Sequence, residues 1–435
     1  MMIDSTRRDG FGRGGGEARA GTTGRYVVVL AEPRDDPRGL LRDAGVAEVL
    51  DSRDFTEDIT DVSGGPGAVY LADLGIVVVA AEDAQVSRLG AGATEHGPVL
   101  SVSPELVHHV MDTGSADYLR GYRDGVTDLG RRLESGTARE DTATEGGPPY
   151  FEDTDRFTWG LQATQVLSSP HSGAGVRVAV LDTGFDIAHP DFAQREVVTH
   201  SFVPGETAQD GHGHGTHCIG TACGPREPGT GPRYGVAHGA EIYAGKVLGD
   251  AGEGSDAGIL AGIDWALGHG CAVISMSLGA DVRTVHPPYT AAGRRALDRG
   301  ALLVAAAGNN ADRVNGDAGF VGAPANSPFV MAVGALNQQL DTAWFSARTL
   351  PGSGGQVDVA APGFEVHSSW PMPVRRRTIS GTSMAAPHVA GVAALLAEAT
   401  GRRGRELWAE LVQESRRLAA PSLDVGSGLV LARTR

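Results

Sequence analysis

Three short segments of this 435-residue chain carry side chains able to break an amide bond. Val180-Leu181-Asp182-Thr183-Gly184 places a carboxylate at the end of an apolar, strand-like run. Gly213-His214-Gly215-Thr216-His217 sets a histidine between glycines, just ahead of a helical stretch. Gly381-Thr382-Ser383-Met384-Ala385-Ala386-Pro387-His388 opens another helix, running to about Ala399, with a serine at its start. A serine hydroxyl is a weak nucleophile and needs a base. Histidine titrates near neutrality, so it can take that proton and return it to a leaving amine. A buried carboxylate fixes the imidazole tautomer and stabilises the imidazolium. Free N–H groups at a helix start favour the negative charge that develops. Ser383 is thus the candidate nucleophile, His214 its base and Asp182 the group that orients the base.

Such residues must be held by a framework, and the second half of the chain supplies an alternation of strands and helices. Strands are predicted at 176–181, 242–248, 272–278, 302–307 and 329–335, with helices at 256–267 and 289–299 between them. That alternation implies a parallel sheet covered on both faces, with ligands at the carboxyl ends of the strands. The first half reads differently. Strands at 26–30, 68–71, 76–79 and 99–102, with helices at 40–50 and 84–89, give the order β-α-β-β-α-β of a small ferredoxin-like α+β unit. The chain therefore divides into a disordered tail (1–24), this small domain (25–103), a helical segment with a polar linker (104–156), and the α/β domain (157–435).

The order Asp, His, Ser and the three segments together resemble the signature motifs of the subtilase family, G-T-S-M-A-A-P-H above all. The resemblance covers roughly Phe157 to Val430. Trp159-Gly160-Leu161-Gln162-Ala163 is similar to the entry segment of the mature enzyme, and Asp424 to Val430 to its closing turn. It implies a subtilisin-like three-layer fold and a serine endopeptidase that hydrolyses peptide bonds through an acyl-enzyme on Ser383. Ala305-Ala306-Ala307-Gly308-Asn309 resembles the oxyanion segment, which implies that Asn309 donates its side-chain amide beside the Ser383 N–H. Gly252-Glu253-Gly254 and Ser277-Leu278-Gly279 resemble the two edges that grip an extended polypeptide by main-chain hydrogen bonds. Ala306, Ala307 and Gly308 would line the pocket for the residue before the cut, with Gly322 as a deep floor and the neutral Asn310 at its rim.

No cofactor is implied. Asp191 resembles one ligand of the family's calcium site, but the loop Gly224 to Tyr234 lacks the usual asparagine-containing pattern, so no metal ligand is assigned. A zinc reading of His212, His214 and His217 fails, because no carboxylate sits among them as in H-E-x-x-H. His217 and His388 read as structural. The N-terminal unit resembles the subtilase propeptide, which implies an intramolecular inhibitor that is removed by autoprocessing; the cut is expected between Leu133 and Tyr150. Two other readings share these residues: a peptide-maturation enzyme or acyl transferase that passes the acyl group to an amine, and an inactive scaffold. Degraded motifs would favour the scaffold, and none is degraded.

The net charge of −16 suits solubility. Arg375-Arg376-Arg377 is a short isolated run, so nucleic acid is not an expected partner. No apolar run approaches the roughly 20 residues of a membrane span. The polar N-terminus has no apolar signal region, which predicts a cytoplasmic protein, or a secreted one if translation starts further upstream. Three cysteines, Cys218, Cys223 and Cys271, are too few for a disulfide framework. Cys218 lies close enough to His214 in sequence to make thiol reagents candidate inhibitors.

Overall fold

The structure, a computed structural model, describes residues 21–111 and 150–432, apart from short gaps at 35, 47, 55–66, 92, 94–96, 351 and 353–354. Its first four strands are β1 (Thr22–Leu30), β2 (Val49–Asp51), β3 (Ala68–Leu71) and β4 (Ile76–Val79). A fifth, β5 (Val99–Val110), follows them. The larger domain starts with β6 (Arg177–Asp182), β7 (Val197–Ser201), β8 (Glu241–Lys246), β9 (Glu253–Ser255), β10 (Val273–Met276) and β11 (Leu278–Gly279). It continues with β12 (Leu302–Ala306), β13 (Met331–Leu336) and β14 (Val359–Pro362).

Seven of these strands form one sheet in the order β14-β13-β12-β10-β6-β8-β7, with every neighbouring pair parallel. The strands expected from sequence lie within it, shifted by one or two residues at their ends. Strands β7 and β14 were not anticipated. Alternation along β6 shows how the layers form. Val178 and Val180 join the core with helices His214–Cys223 and Thr382–Thr400, while Ala179 and Leu181 join that with helices Asp256–Gly268 and Pro287–Asp298. Chain order departs in opposite directions on the two sides of β6, so a crevice opens at its carboxyl end, where Asp182 stands.

The smaller sheet runs β5-β1-β4-β3-β2. Its four antiparallel strands follow the expected order, and the short β2 pairs parallel with β3 at the edge. The segment predicted as one helix at 40–50 is split into helix Arg38–Asp43 and β2. Val28 and Leu30 face this unit's own helices, whereas Val27 and Val29 enter the core that also holds Ile259, Ile263 and Tyr289 of the larger domain. Arg295, buried, donates across this boundary to the carbonyls of Leu30, Ala31, Leu74 and Gly75.

Two boundaries read from sequence need correction. Thr22 to Gly24 belong to β1 rather than to a disordered tail, because Thr22 pairs with Leu106 and Thr23 Oγ1 donates to buried Glu105. Residues 103–110 are strand rather than helix. Pro104 disfavours the helical conformation at Ser103, and non-local partners capture the segment. Beyond β1, β5 pairs antiparallel with β9 and β11 of the larger domain, which puts it in both halves of the fold. Of the predicted helical segment and linker (104–156), residues 112–149 lie outside the described residues, and with them all of the range expected for the cut, Leu133 to Tyr150, except Tyr150 itself. No helix among the described residues is long and apolar enough to cross a membrane.

Docking of the small unit on the large one is linked to pH through Asp264. This residue, buried on helix Asp256–Gly268, accepts the Leu74 N–H (3.0 Å) and Ser52 Oγ–H (2.6 Å). Burial outweighs these bonds and pushes its carboxyl up to about 7, from an ordinary 3.8. The docked state therefore holds the proton more tightly than a released one. The contribution is full below about pH 4 and is lost as pH rises through about 7. Hydrogen exchange of the Val27–Val29 amides should accelerate across that range in the parent and much less in Asp264→Asn; an equal slope in both would place the effect elsewhere.

Candidate active site

Asp182 ends β6, and its Oδ1 accepts the Thr183 N–H (2.8 Å) and His214 Nδ1–H (2.7 Å). The histidine opens helix His214–Cys223 from a turn that few residues could make. Gly213 has φ +108°, and a Cβ there would lie 2.4 Å from the Trp370 ring; at Gly215 it would lie 2.2 Å from Gly184 O. Asp210 ties the turn together. Its Oδ1 accepts from Thr183 Oγ1, His212 N–H and Gly213 N–H, and its Oδ2 from the N–H and hydroxyl of Thr216. Thr183 Oγ1 in turn accepts the Gly215 N–H at 2.8 Å. Sequence reasoning missed Asp210. An acidic residue shortly before a helix start is the signal that would have found it.

His214 is fully buried, which disfavours its charged form, yet the Asp182 carboxylate prevails and raises its pKa well above the usual value. Its Nε2 is buried with no hydrogen-bond partner among the described residues. His217 and His388 are placed otherwise. Burial pushes them down to about 3 and about 4, and each bonds a backbone carbonyl, Val366 O and Met384 O respectively. Cys218 Sγ lies 3.8 Å from His214 Nδ1 and 3.6 Å from Ser383 O. Burial pushes its thiol up to about 11, so it stays protonated.

Ser383 sits in the first turn of helix Thr382–Thr400. Asn309, beyond the end of β12, faces it. Asn309 Oδ1 accepts the N–H (2.9 Å) and hydroxyl (2.8 Å) of Thr382, which aims its Nδ2 outward to donate to Met111 O at 2.6 Å. Ser383 Oγ also donates to Met111 O and lies 3.1 Å from Ser277 O. Thus where sequence expects the Ser383 N–H, the second donor to this carbonyl is the Ser383 hydroxyl. Met111 itself was not foreseen, because nothing local marks the residue that follows β5.

The approach to that carbonyl is a strand between two edges. Val107, His108 and His109 pair with Ser255, Gly254 and Glu253, while His109 and Val110 pair with Gly279 and Leu278 on the other side. Val110 N–H donates to Gly252 O (3.0 Å) and Met111 N–H to Ser277 O (3.3 Å). The structure thus brings Gly252, Gly254, Ser277, Leu278 and Gly279 around one extended segment. The Met111 side chain is buried against Gly279, where a Cβ would lie 2.4 Å from Met111 Cε. Ala306 and Ala307 are buried at the end of β12, followed by Gly308 at φ +124°. At Gly322 a Cβ would meet Ala280 O at 2.5 Å, so a close backbone approach accounts for this glycine. Asn310 bonds Asp281 and both backbone groups of Phe320.

A model of the subtilase family matches residues 173–427. Subtilisin Savinase of Lederbergia lenta is 42% identical over 243 residues, which is 55% of this chain and 83% of that protein. M-protease of Shouchella clausii (strain KSM-K16) is also 42% identical over 243 residues, 55% of this chain and 59% of its own length. Subtilisin E of Bacillus subtilis (strain 168) is 40% identical over 239 residues, 54% of this chain and 59% of that one. The chain thus spans less than two thirds of two of these relatives and most of the third.

Asp191, the residue similar to a calcium ligand, does not fit that use here. Its Oδ1 accepts from Arg375 Nη2 (2.7 Å) and its Oδ2 from Tyr234 OH (2.8 Å) and Arg376 Nη2 (3.0 Å). Burial would raise its pKa, but these donors prevail and hold it at about 2. Two guanidinium groups leave no call for a cation at this carboxylate, and they come from the run that sequence read as an isolated basic patch. Chelator or added calcium should leave the melting temperature unchanged. Arg376→Ala should lower it, by an amount equivalent to about 1–3 kcal/mol for a broken charged hydrogen bond. A melting temperature that climbs with calcium would contradict this account.

Proposed function

Starting from the fact that this chain belongs to the subtilase family, we propose that it is a serine endopeptidase made as a self-inhibited precursor that cleaves itself after Met111. One observation carries the reading: the Met111 carbonyl lies between Asn309 Nδ2 and Ser383 Oγ, at the end of a strand gripped on both sides. Extended binding of this kind uses main-chain groups, which any polypeptide offers. The same strand fills the cleft and so keeps other substrates out.

In the reaction we infer, Ser383 Oγ gives its proton to His214 Nε2 and bonds the Met111 carbonyl carbon. Asp182, hydrogen-bonded to His214 Nδ1, stabilises the imidazolium. The carbonyl oxygen becomes an oxyanion and keeps the Asn309 donor, which Thr382 already holds in place, so little reorganisation is needed. His214 returns the proton to the amine of residue 112 as the C–N bond breaks. Water then enters, His214 removes its proton, and the ester on Ser383 is hydrolysed. The buried Met111 side chain supports a preference for a large unbranched apolar residue before the cut.

The parent enzyme should react with a fluorophosphonate at Ser383 and cleave peptides. Ser383→Ala should do neither, and activity that survives in it would remove the assignment. Asn309→Ala should lower kcat by about 10²–10³ with little change in KM, the magnitude known for this donor within the same family. An unchanged kcat would take the oxyanion role away from Asn309.

A further inference from the structure

The strand in the cleft meets a buried carboxylate that the peptidase chemistry leaves unused. Asp256 opens helix Asp256–Gly268, is 0% exposed, and receives four hydrogen bonds. Its Oδ1 accepts from His108 Nε2 (2.7 Å) and Tyr289 OH (2.8 Å). Its Oδ2 accepts from His286 Nε2 (2.8 Å) and Leu106 N–H (2.7 Å). Two donors, His286 and Tyr289, belong to the larger domain. The other two belong to the strand in the cleft. His108 is the fourth residue back from the carbonyl held at Ser383, counting Met111 as the first.

This arrangement discriminates by chemistry. A carboxylate withdrawn from water needs its lone pairs satisfied, and a missing donor to a buried charge is penalised heavily. His286 takes one oxygen and Tyr289 the other, and together they turn the free lone pair of Oδ1 toward the cleft. An imidazole there donates to Oδ1 while its ring lies edge-on to Tyr289, with centroids 5.5 Å apart. An aliphatic side chain in the same place would exclude water from Oδ1 and give it nothing. With His108 and His286 beside it, the donors around Asp256 outweigh its burial and hold its carboxyl well below the usual range, so it is an anion with this strand in place. The adjacent His109 is different: it is exposed and 3.6 Å from an exposed Glu253, where solvent screens any selection.

We propose that Asp256, oriented by His286 and Tyr289, is a specificity-determining residue that selects histidine at the fourth position before the scissile bond. The preferred substrates are then extended peptides of the pattern His-x-x-Met, or with another large apolar residue last, and the chain's own His108-His109-Val110-Met111 is one of them. The inference rests on the reading of Ser383 as nucleophile and of Met111 as the residue before the cut.

The test compares two peptides, Val-His-His-Val-Met-Asp and Val-Leu-His-Val-Met-Asp, on the full chain with active sites counted by fluorophosphonate. The parent should cleave the first with kcat/KM about tenfold or more above the second, as loss of a hydrogen bond to a charged group requires. In Asp256→Leu the ratio should fall to one or below while labelling persists. Should that variant not fold, the comparison of the two peptides on the parent decides alone. A parent ratio near one, or a ratio that survives in Asp256→Leu, overturns the inference and leaves the peptidase reading standing. Absence of both cleavage and labelling overturns the peptidase reading and the inference with it.

Discussion

Strand β5 pairs with both domains at once. Its first half pairs with β1 inside the small domain, and its second half pairs with β9 and β11 of the large one. Backbone hydrogen bonds alone would let such a strand slide, and a slip of one residue would reverse every side chain and bring another carbonyl to Ser383. Buried hydrogen bonds to carboxylates oppose the slip. Glu105 takes the Arg25 guanidinium (2.7 Å) from β1 and the Ala257 N–H (2.9 Å) from the start of helix Asp256–Gly268. His108 takes Asp256 three residues later. Each would lose a buried partner if the register moved, so the position of the Met111 carbonyl follows from charges several residues away.

The reacting groups depend on equally indirect support. Asp182 and His214 come from different elements, and the Asp210 hub joins the loop after β6 to the turn before helix His214–Cys223. Asn309 is aimed by the residue next to Ser383, so both donors to the Met111 carbonyl are referred to the same helix start. A crevice at the carboxyl end of β6 gathers these loops because the strand order changes direction there. The site is therefore rigid for topological reasons as well as chemical ones.

Sequence made the local parts legible. Glycines around His214, the run ahead of Asp182 and the string around Ser383 each announce a turn or a helix start within a few residues. Apolar runs marked most strands of both sheets along the chain, but the order β14-β13-β12-β10-β6-β8-β7 was not read from them, and β2, β7 and β14 were not anticipated. What escaped was decided between distant parts of the chain. Residues 103–110 carry Leu106, Val107 and Val110 at spacings that suit either a helix or a strand, and pairing with β1, β9 and β11 settles the choice. Arg375 and Arg376 look like a solvated patch until Asp191 is placed beneath them. Asp256 looks like an ordinary acidic residue in a first helical turn until His108 and His286 converge on it.

The proposed cut after Met111 is tested most directly by intact mass and N-terminal sequencing of the purified chain beside its Ser383→Ala variant. The account expects the parent to yield a large fragment that begins at Asp112 and a small one that ends at Met111, with Ser383→Ala remaining whole. A parent cut between residues 133 and 150 with the Met111–Asp112 bond intact, or the same cut in both chains, would contradict it.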